Sequence, residues 1–313
     1  MTDKTIKFEK RSASDESKAI EGVEQAKSSR LNVLKTYKIY IDGKFPRSES
    51  GRYYTLESAK GKAIANVSLC SRKDFRDAVT AARAAQLKWA SATAYNRGQI
   101  LYRIAEMLEA RRTQFIEELV LQGSTSEAAQ AEVETSIDRL VYFAGWSDKY
   151  QQIFSSVNPV ASSHFNFSIL EPTGVVGLLA PEENSLLGLI SALAPIIVGG
   201  NSCVLLASGS KPLCSVSFAE VLNSSDVPAG VVNILTGYRK ELLSHFSSHM
   251  DVNAVVYAGD SDDEFKTIQQ NAVSNLKRII RFSPKNWYSP ECESPYRILD
   301  CQETKTTWHP IGN

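Results

Sequence analysis

The stretch LLAPEENSLLGL, residues 178–189, places two carboxylates, Glu182 and Glu183, between an apolar strand and an apolar helix. In open α/β folds ligands usually bind at such a junction, and the positive end of the helix favours anions such as phosphate. Two glutamates would repel a phosphate there. The pair therefore has three interpretations: it performs chemistry, it stabilises the helix N-terminus through the helix dipole, or it marks a lost site.

A close histidine pair is the next group with the capacity for chemistry. His245 and His249 are four residues apart, a spacing that can clamp a metal on one face of a helix. No third ligand lies nearby in the sequence, so a surface or capping role is favoured. No metal site is predicted.

The five cysteines form neither a metal-binding nor a paired pattern. Cys203 and Cys214 fall in an apolar strand and an apolar helix, which predicts core positions. Cys292 and Cys301 have acidic neighbours, which raise the pKa of a thiol, so neither is predicted to be a nucleophile. The sequence also lacks glycine-rich phosphate-binding motifs and a serine nucleophile elbow.

Composition excludes several classes of protein. Lys plus Arg and Asp plus Glu both number 35, so a nucleic-acid groove or a charged membrane-binding patch is not expected. No apolar run is long enough to span a bilayer, and the polar N-terminus lacks the apolar core of a secretory signal. Together with unpaired cysteines, these features predict a cytoplasmic protein.

The elements that position these residues begin with a tail, a hairpin and helices. Residues 1–33 are rich in Lys, Glu, Ser and Asp, which predicts a disordered tail or linker. YKIYIDGKFPRS alternates around an Asp-Gly turn and is typical of a hairpin. Three helices should follow, the first starting at the capping box Ser71–Asp74. The second has apolar residues at helical spacing from Ile100 to Leu119, and the third is SEAAQAEVETSIDRLVYFAGW.

The second half of the chain is predicted to form a ribbon and a sheet. Residues 150–172 contain Ser, Asn and Pro followed by alternating apolar positions, which indicates a protruding β-ribbon. Strands and helices then alternate strictly, which predicts an α/β fold with a parallel sheet covered on both faces. The predicted strands are VVGLLA, SCVLLA, VVNILT, VNAVVYAG and KRIIRF. A last short strand is expected at ETKTTWHPIG.

Longer motifs in this region resemble those of the NAD(P)-dependent aldehyde dehydrogenases. They are EPTGVVGLLAPEENSLLGLISALAPIIVGGNSCVLLASGSKPL, DVPAGVVNILTG, HMDVNAVVYAGDSD and SNLKR, in the family's order and spacing, and the resemblance covers residues 36–282. ETKTTWHPIG is similar to the family's terminal oligomerisation strand. More narrowly, the PEE block and the W-x-P-x-G ending resemble the degenerate C-terminal unit of family 16 aldehyde dehydrogenases.

The resemblance implies a Rossmann-like, NAD-binding-type domain over residues 34–149 and 171–283, with an N-terminal helical segment. It implies an oligomerisation β-ribbon over 150–170 and 302–311. Members also have a thiolase-like catalytic domain, in which a Cys attacks the aldehyde and a Glu activates water. Here residues 284–301 connect the Rossmann-like unit directly to the last strand. The catalytic domain, with its nucleophile, is therefore expected to be essentially deleted.

Two further catalytic positions are lost in this comparison. Glu183 stands where the family has the Asn that donates to the oxyanion, and a carboxylate would destabilise that negative charge. Phe282 stands where the family has the general-base Glu. No catalytic residue is therefore predicted.

The cofactor pocket that the resemblance implies is vestigial, and no cofactor is expected unless this pocket still binds NAD(P). The ribose-binding Lys-x-x-Glu pair falls on Leu206 and Gly209, and the phosphate-contacting Ser falls on Asp260. Asp260 and the carboxylates of DDE that follow would cap their helix instead, as Glu182 and Glu183 would cap theirs. The vestigial positions are Pro181, Glu182, Leu206, Gly209, Gly259 and Asp260.

Three functions remain open at this stage. The first is a pseudoenzyme that acts as an oligomerisation or interaction module, as a homo-oligomer or with a complete aldehyde dehydrogenase unit, because exposed strand edges pair readily. The second is an NAD(P)-dependent aldehyde dehydrogenase, oxidising an aldehyde to a carboxylic acid, whose active site is completed in trans. The third is a truncated gene product without an independent role.

Overall fold

The structure is a computed structural model that describes residues 33–58 and 61–312. The tail or linker predicted for residues 1–33 therefore falls, apart from Val33, outside the described residues. The strands are β1 Thr36–Tyr37, β2 Tyr53–Glu57, β3 Ala63–Ser68, β4 Ser156–Asn158, β5 His164–Pro172, β6 Val175–Leu179, β7 Ser202–Leu206, β8 Val232–Leu235, β9 Ala254–Tyr257, β10 Arg278–Arg281 and β11 Gln302–Pro310.

The α-helices alternate with these strands in the second half of the chain. They are α1 Arg72–Ser91, α2 Ala94–Ala110, α3 Arg112–Leu121, α4 Ser126–Trp146, α5 Tyr150–Phe154, α6 Leu187–Val198, α7 Leu213–Asn223, α8 Arg239–Ser248, α9 Asp262–Ala272 and α10 Tyr296–Leu299. None of the described helices is both long and apolar enough to cross a membrane.

The centre of the fold is a five-stranded parallel sheet in the order β10-β9-β6-β7-β8, which confirms the predicted α/β class. Four of its strands, β6 to β9, are buried on both faces, as expected when helices cover both sides, and β10 at the edge is half-buried. Successive side chains enter two different cores: Val175 and Leu179 pack with α1, α8 and α9, whereas Val176 and Leu178 pack with α2, α4, α6 and α7.

A small second sheet lies beside the first, in the order β1-β3-β2. One of its faces is apolar: Leu56, Val67 and Tyr37 pack against Leu213 and Val216 of α7. This region departs from the predicted hairpin. The Asp-Gly turn is present, with positive φ at Asp42 and Gly43, but only a single bridge, from Ile41 to Lys44, closes it. The neighbouring Tyr40 pairs instead with Ile234 of β8.

The helical segment begins at the predicted capping box, in which Ser71 and Asp74 bond reciprocally to each other's backbone amides. The predicted second helix is in fact two helices, because the chain leaves helical geometry at Arg111, the residue between α2 and α3. The third predicted helix has the bounds of α4.

The β-ribbon is a three-stranded antiparallel sheet in the order β11-β5-β4. Its longest pairing runs from Gln302 opposite Pro172 to Pro310 opposite His164, so the terminal strand and the predicted ribbon form one element. The prediction was wrong for the first residues of the 150–172 stretch, since Tyr150–Phe154 is helical.

The connector, residues 284–301, contains a 3₁₀ turn at Pro290–Glu293 and the short helix α10. Its C-terminal end is held against the sheet by Arg278, the first residue of β10. This guanidinium donates to the carbonyl of Asp300, 3.3 Å away, and to that of Gln302. It also forms an ion pair with Glu303 at 3.0 Å. The connector therefore leaves the sheet after Arg281, at the carboxyl end of β10, and returns to the amino end of the same strand before β11 begins.

Candidate functional site

A cavity of about 210 Å³ opens at the carboxyl ends of β6 and β9, the edge at which open α/β sheets bind ligands. Four of the six predicted pocket positions line it: Pro181, Glu182, Gly259 and Asp260. The rest of the lining consists of Glu183, Arg239, Ala258, Ser283, Pro284 and Trp287. The sequence therefore located the cavity, but it gave no indication that Arg239 lies in it.

Arg239, the first residue of α8, is the cation at the centre of this cavity. Its guanidinium donates to the carbonyl oxygen of Ala180 at 2.5 Å and to the carboxylate of Glu264 at 3.2 Å. It lies 3.6 Å from a carboxylate oxygen of Glu182 and 5.6 Å from the centre of the Tyr257 ring. Arg239 is thus one internal cation that contacts the end of β6, the loop after Pro181 and the first turn of α9.

Glu182 organises the loop that follows β7. Its carboxylate accepts hydrogen bonds from the hydroxyls of Ser208 and Ser210, at 2.6 and 2.8 Å, and from the amides of Gly209 and Ser210. Burial raises the pKa of Glu182, but the bonds from Ser208, Ser210 and Gly209 outweigh it and hold the pKa below its usual value. Glu182 is therefore an ionised structural acceptor.

Glu183 lies beside Glu182 but has a different partner, the ammonium of Lys211 at 2.5 Å. Its side chain is 77% exposed, so this ion pair contributes little to stability. Glu183, which the sequence resemblance predicts to replace the oxyanion donor, is thus a solvated carboxylate that can only accept hydrogen bonds.

The helix-capping role expected for Glu182 and Glu183 is filled by another residue. The amides of Leu186 and Leu187, at the start of α6, donate to the carboxylate of Glu132 at 2.9 and 3.2 Å. Glu132 comes from α4 and is buried. Burial raises its pKa, although the two amide bonds act in the opposite direction. The Glu132 carboxylate therefore accepts the hydrogen bonds of the helix N-terminal amides, which could otherwise bind a ligand.

The second helix end at the cavity, that of α9, is acidic as predicted. Ser261 caps it by accepting from the amide of Glu264, and Asp262, Asp263 and Glu264 occupy the first turn. Asp260 precedes this helix, and its carboxylate accepts a hydrogen bond from the hydroxyl of Ser283. Anions favour a helix N-terminus, so these carboxylates occupy the place that a bound phosphate would take.

Glu264 is further tied to the sheet by Tyr257. The phenol donates to the Glu264 carboxylate at 2.7 Å. Burial, followed by this bond, raises the pKa of Tyr257 to about 12, so the phenol is neutral and a donor. A side chain at Gly259 would lie 2.6 Å from the Tyr257 hydroxyl and 2.8 Å from Arg239, which requires glycine at this close approach.

Phe282, which the sequence resemblance predicts to replace the general base, is a core residue with 7% exposure. Its ring meets that of Trp287 edge to face, with centroids 5.2 Å apart, and the guanidinium of Arg297 lies 5.0 Å from its centre. Trp287 in turn packs against α6: a methyl group added to Gly188 would lie 3.1 Å from its ring and 2.4 Å from Pro181. The connector therefore covers this end of the sheet.

The connector is also fixed by Arg139 of α4, which is 1% exposed. Its guanidinium donates to the carbonyl oxygen of Trp287 at 3.2 Å and lies 3.4 Å from the carboxylate of Glu293. A buried arginine that lost these partners would be strongly destabilising, so the connector is an integral part of the core.

The two remaining predicted positions lie away from the cavity. Leu206, at the end of β7, is buried in the core with α1 and α8. Gly209 donates its amide to Glu182 and accepts a hydrogen bond from the hydroxyl of Tyr54 at 3.2 Å. Neither presents a polar side chain that could hold a ribose.

The cysteines and histidines take structural positions. All five thiols are unpaired and buried; burial, with Asp300 second, raises the pKa of Cys301 to about 12, and burial also raises that of Cys292. His245 and His249 lie near the ring of Phe75, at 6.3 and 5.7 Å between ring centroids. Across residues 33–58 and 61–312, no group of three or more His, Cys, Asp or Glu side chains is placed to hold a metal ion.

Comparison with known proteins gives a consistent result. A sequence profile described as the aldehyde dehydrogenase family matches residues 45–281. Cytosolic 10-formyltetrahydrofolate dehydrogenase of Xenopus laevis is 31% identical over 257 residues, which cover 80% of this chain and 28% of that protein. An aldehyde dehydrogenase of Aspergillus niger is 30% identical, over 77% of this chain and 48% of its own length. The chain thus spans half or less of these relatives.

Solved structures agree with the sequence comparison. Betaine aldehyde dehydrogenase of Staphylococcus aureus, in complex with NAD+, has a TM-score of 0.75 and 26% identity, over 79% of this chain and 50% of that one. The NAD+ complex of a Bacillus cereus aldehyde dehydrogenase shares the fold with the same TM-score. The profile matches most of the chain, and the fold and the cavity at the carboxyl end of the parallel sheet agree with it. The chain therefore belongs to the aldehyde dehydrogenase family.

Proposed function

We propose that this chain is a non-catalytic aldehyde dehydrogenase relative that works as an oligomerisation or interaction module. The observation that carries the proposal is the packing of Phe282 on Trp287. At the position of the family's general base, the chain has an aromatic core, and the connector that supplies Trp287 is buried against α4 and α6. A core of this kind has no group that accepts a proton or attacks a carbonyl.

The charge of the cavity supports the same proposal. Among the described residues that line it, the only cation is Arg239, which is already paired with Glu182 and Glu264, and Glu183 and Asp260 add two further acidic residues to the lining. The two phosphate groups of a dinucleotide would be repelled by the carboxylates of this cavity, and no free donor or cation of the described lining would offset that repulsion. We therefore expect no NAD or NADP in the pocket.

The alternative is a dehydrogenase whose active site is completed in trans, and the retained parallel sheet favours it. The connector weighs against it. An external catalytic unit would have to reach the end of β6, where Trp287 already packs on Pro181 and Gly188. Displacing the connector would also leave Arg139 buried without its partners, which costs several kcal/mol, on the order of 3–5.

The ribbon is the surface that we propose for assembly. Register places Val157 opposite Phe167, and the same face carries Phe165 and Ile169. Val157, Phe165 and Ile169 are 66%, 44% and 38% exposed. An apolar patch on β4 and β5, in a sheet whose outer strand β11 pairs on one side only within the described part of the chain, is typical of a surface that pairs with another chain. The partner would be a second copy or a complete aldehyde dehydrogenase unit.

Two more specific predictions, the cellular location and the subfamily, belong to the same proposal. We place the protein in the cytoplasm, where thiols stay reduced; the five described cysteines are unpaired, and one relative bears the name cytosolic. The assignment to the degenerate unit of family 16 aldehyde dehydrogenases stays a prediction.

A calorimetric titration with NAD and then NADP tests the cofactor part of the proposal. We expect no heat of binding. A dissociation constant tighter than about 100 μM, roughly 5.5 kcal/mol, would overturn it. The same protein, incubated with an aldehyde and NAD alone and with a complete aldehyde dehydrogenase, should form no NADH beyond that of the complete enzyme.

Light scattering tests the assembly part. We expect the chain to have the mass of a dimer or larger species, and Ile169→Lys on the ribbon face to reduce it to a monomer. Leu121→Lys is the matched control, because Leu121 is an apolar residue of α3 that is 49% exposed and lies outside the ribbon. A strictly monomeric chain that also fails to bind a complete aldehyde dehydrogenase would refute the proposal.

A further inference from the structure

The small sheet has a polar face that the proposed function does not use. In the parallel pairing of β1 with β3, Thr36 lies opposite Asn66; in the antiparallel pairing with β2, Asn66 and Ser68 lie opposite Thr55 and Tyr53. Paired residues share a face, so these five side chains point away from the apolar side that packs on α7. The result is a floor of hydroxyl and amide groups.

The loop between Phe45 and β2 folds over this floor and encloses a cleft of about 280 Å³. Two arginines of the loop, Arg47 and Arg52, line it together with Thr36, Asn66, Ser68 and Tyr53. None of the described residues that line the cleft is an aspartate or a glutamate. This composition is the reverse of that of the cavity at the end of the central sheet, whose single cation is surrounded by carboxylates.

The hydroxyls of Ser48 and Ser68 already donate, to Asp74 and to the carbonyl of Tyr37, but the guanidinium groups and the Asn66 amide of the cleft have unused donors. Arg47 has no hydrogen-bond or ion-pair partner among the residues that the structure describes. Arg52 uses only one nitrogen, Nη2, which contacts Glu241 at 3.1 Å and the carbonyl of Cys70 at 3.4 Å. The Asn66 carbonyl oxygen accepts from Thr55 at 3.1 Å, which leaves the Asn66 amide group as a donor.

We propose that this cleft binds a small oxyanion, a phosphate group carried by a phosphorylated metabolite. Planar guanidinium groups match the oxygens of phosphate in pairs, and the neutral donors of the floor supply further hydrogen bonds without opposing charge. Three carboxylates that contact the lining residues or neighbour them in sequence are already engaged: Glu241 pairs with Arg52, Glu49 with Lys73, and Asp74 accepts from Ser48 and Ser71. The proposal is independent of the assembly role of the ribbon.

The test is a calorimetric titration of the whole chain with inorganic phosphate and with glycerol phosphate, at constant ionic strength set with chloride. We expect a dissociation constant on the order of 1 mM or tighter for phosphate, and tighter binding of glycerol phosphate if the ester group also contacts the cleft. Arg47→Gln should weaken binding at least tenfold. This residue has no described partner, so the variant is expected to fold normally.

Two further variants distinguish a built site from general attraction of anions. Arg103→Gln changes the same charge on the exposed surface of α2, where Arg103 pairs with Glu106, and should leave binding unchanged. Thr36→Val keeps the charge and shape but removes a floor hydroxyl, and should weaken binding several-fold. Absence of binding at about 10 mM phosphate, or equal binding by Arg47→Gln and Arg103→Gln, would overturn the proposal.

Discussion

The guanidinium of Arg239 lies 3.6 Å from the carboxylate of Glu182, and the second nitrogen of the same group donates to Glu264 at 3.2 Å. The side chain of Arg239 is 15% exposed, whereas those of Glu182 and Glu264 are 42% and 31% exposed, so the cation is shielded from water and its partners are shielded only in part. The cavity at the end of the sheet therefore contains its own cation, fixed by its own carboxylates. Binding of a ligand in this cavity would therefore require that the ion pairs of Arg239 with Glu182 and Glu264 be broken.

Replacing Arg239 with Ala should destabilise the fold, because it leaves Glu182 and Glu264 without their shared cation. We expect the free energy of unfolding to fall by about 2 kcal/mol, in the range for charged hydrogen bonds in a partly buried site. Urea denaturation measures this. Arg103→Ala, which removes one partner of an exposed pair, should cost less than about 0.5 kcal/mol. Equal losses in the two variants would contradict a structural role for the network.

Glu132 should be required as an acceptor rather than as a charge. Glu132→Ala leaves the amides of Leu186 and Leu187 buried without a partner, at a cost of about 2 kcal/mol. Glu132→Gln keeps an oxygen that can accept from them and should cost clearly less. Denaturation curves of both variants at pH 7 make the comparison. If Gln were as damaging as Ala, the ionised charge at the helix end would be the important property instead.

Lys277 gives a prediction about pH. Burial lowers the pKa of Lys277 from 10.5 to about 8, and its ammonium donates to the carbonyls of His249 and Val252. A lowered pKa means that the folded state favours the neutral amine. The stability from this group is therefore complete above pH 10.5 and is lost as the pH falls towards 8.

The measurement is the difference in unfolding free energy between the natural chain and Lys277→Met, which keeps an apolar stem. This difference should favour the natural chain most above pH 10.5, decline between 10.5 and 8, and level off below 8. Taking the difference cancels the titration of other groups. A difference that is constant over this range would show that the pKa of Lys277 is not lowered.

Phe282→Glu should restore a carboxylate to the family's general-base position without restoring activity. The variant places a charge in an aromatic cluster with 7% exposure, so we expect a loss of roughly 3 kcal/mol or more in unfolding free energy. Phe282→Leu, an apolar control, should lose less. Formation of NADH from NAD and an aldehyde by Phe282→Glu would contradict the non-catalytic proposal.

The sheet was predictable because its signal is local and repeated. Four of the five central strands, β6 to β9, are short apolar runs that are each followed by a helix, and the capping box at Ser71 lies within four neighbouring residues. The split at Arg111 was not predicted, since apolar residues continue at helical spacing on both sides of it. Periodicity reports which face is buried and is insensitive to one residue that leaves the helix.

The site was predictable in location and only partly in structure. Comparison with the family's motifs indicated Pro181, Glu182, Gly259 and Asp260, which line one cavity. The partners of these residues could not be predicted, because Arg239 and Glu132 come from helices that are distant in sequence. An arginine at the start of one helix and a glutamate inside another have no local pattern that distinguishes them from surface charges.

Arg278 has a consequence for how such a chain can change its length. It anchors Asp300 and Glu303 beside the first residue of β10, whereas the chain leaves the sheet after Arg281, the last residue of the same strand. Any segment that replaces the connector must therefore run from the carboxyl end of β10 back to its amino end, a span of roughly 10 Å at the rise of a strand. A foreign domain grafted between Ser283 and Cys301 would need linkers that cover this span, whatever its own fold.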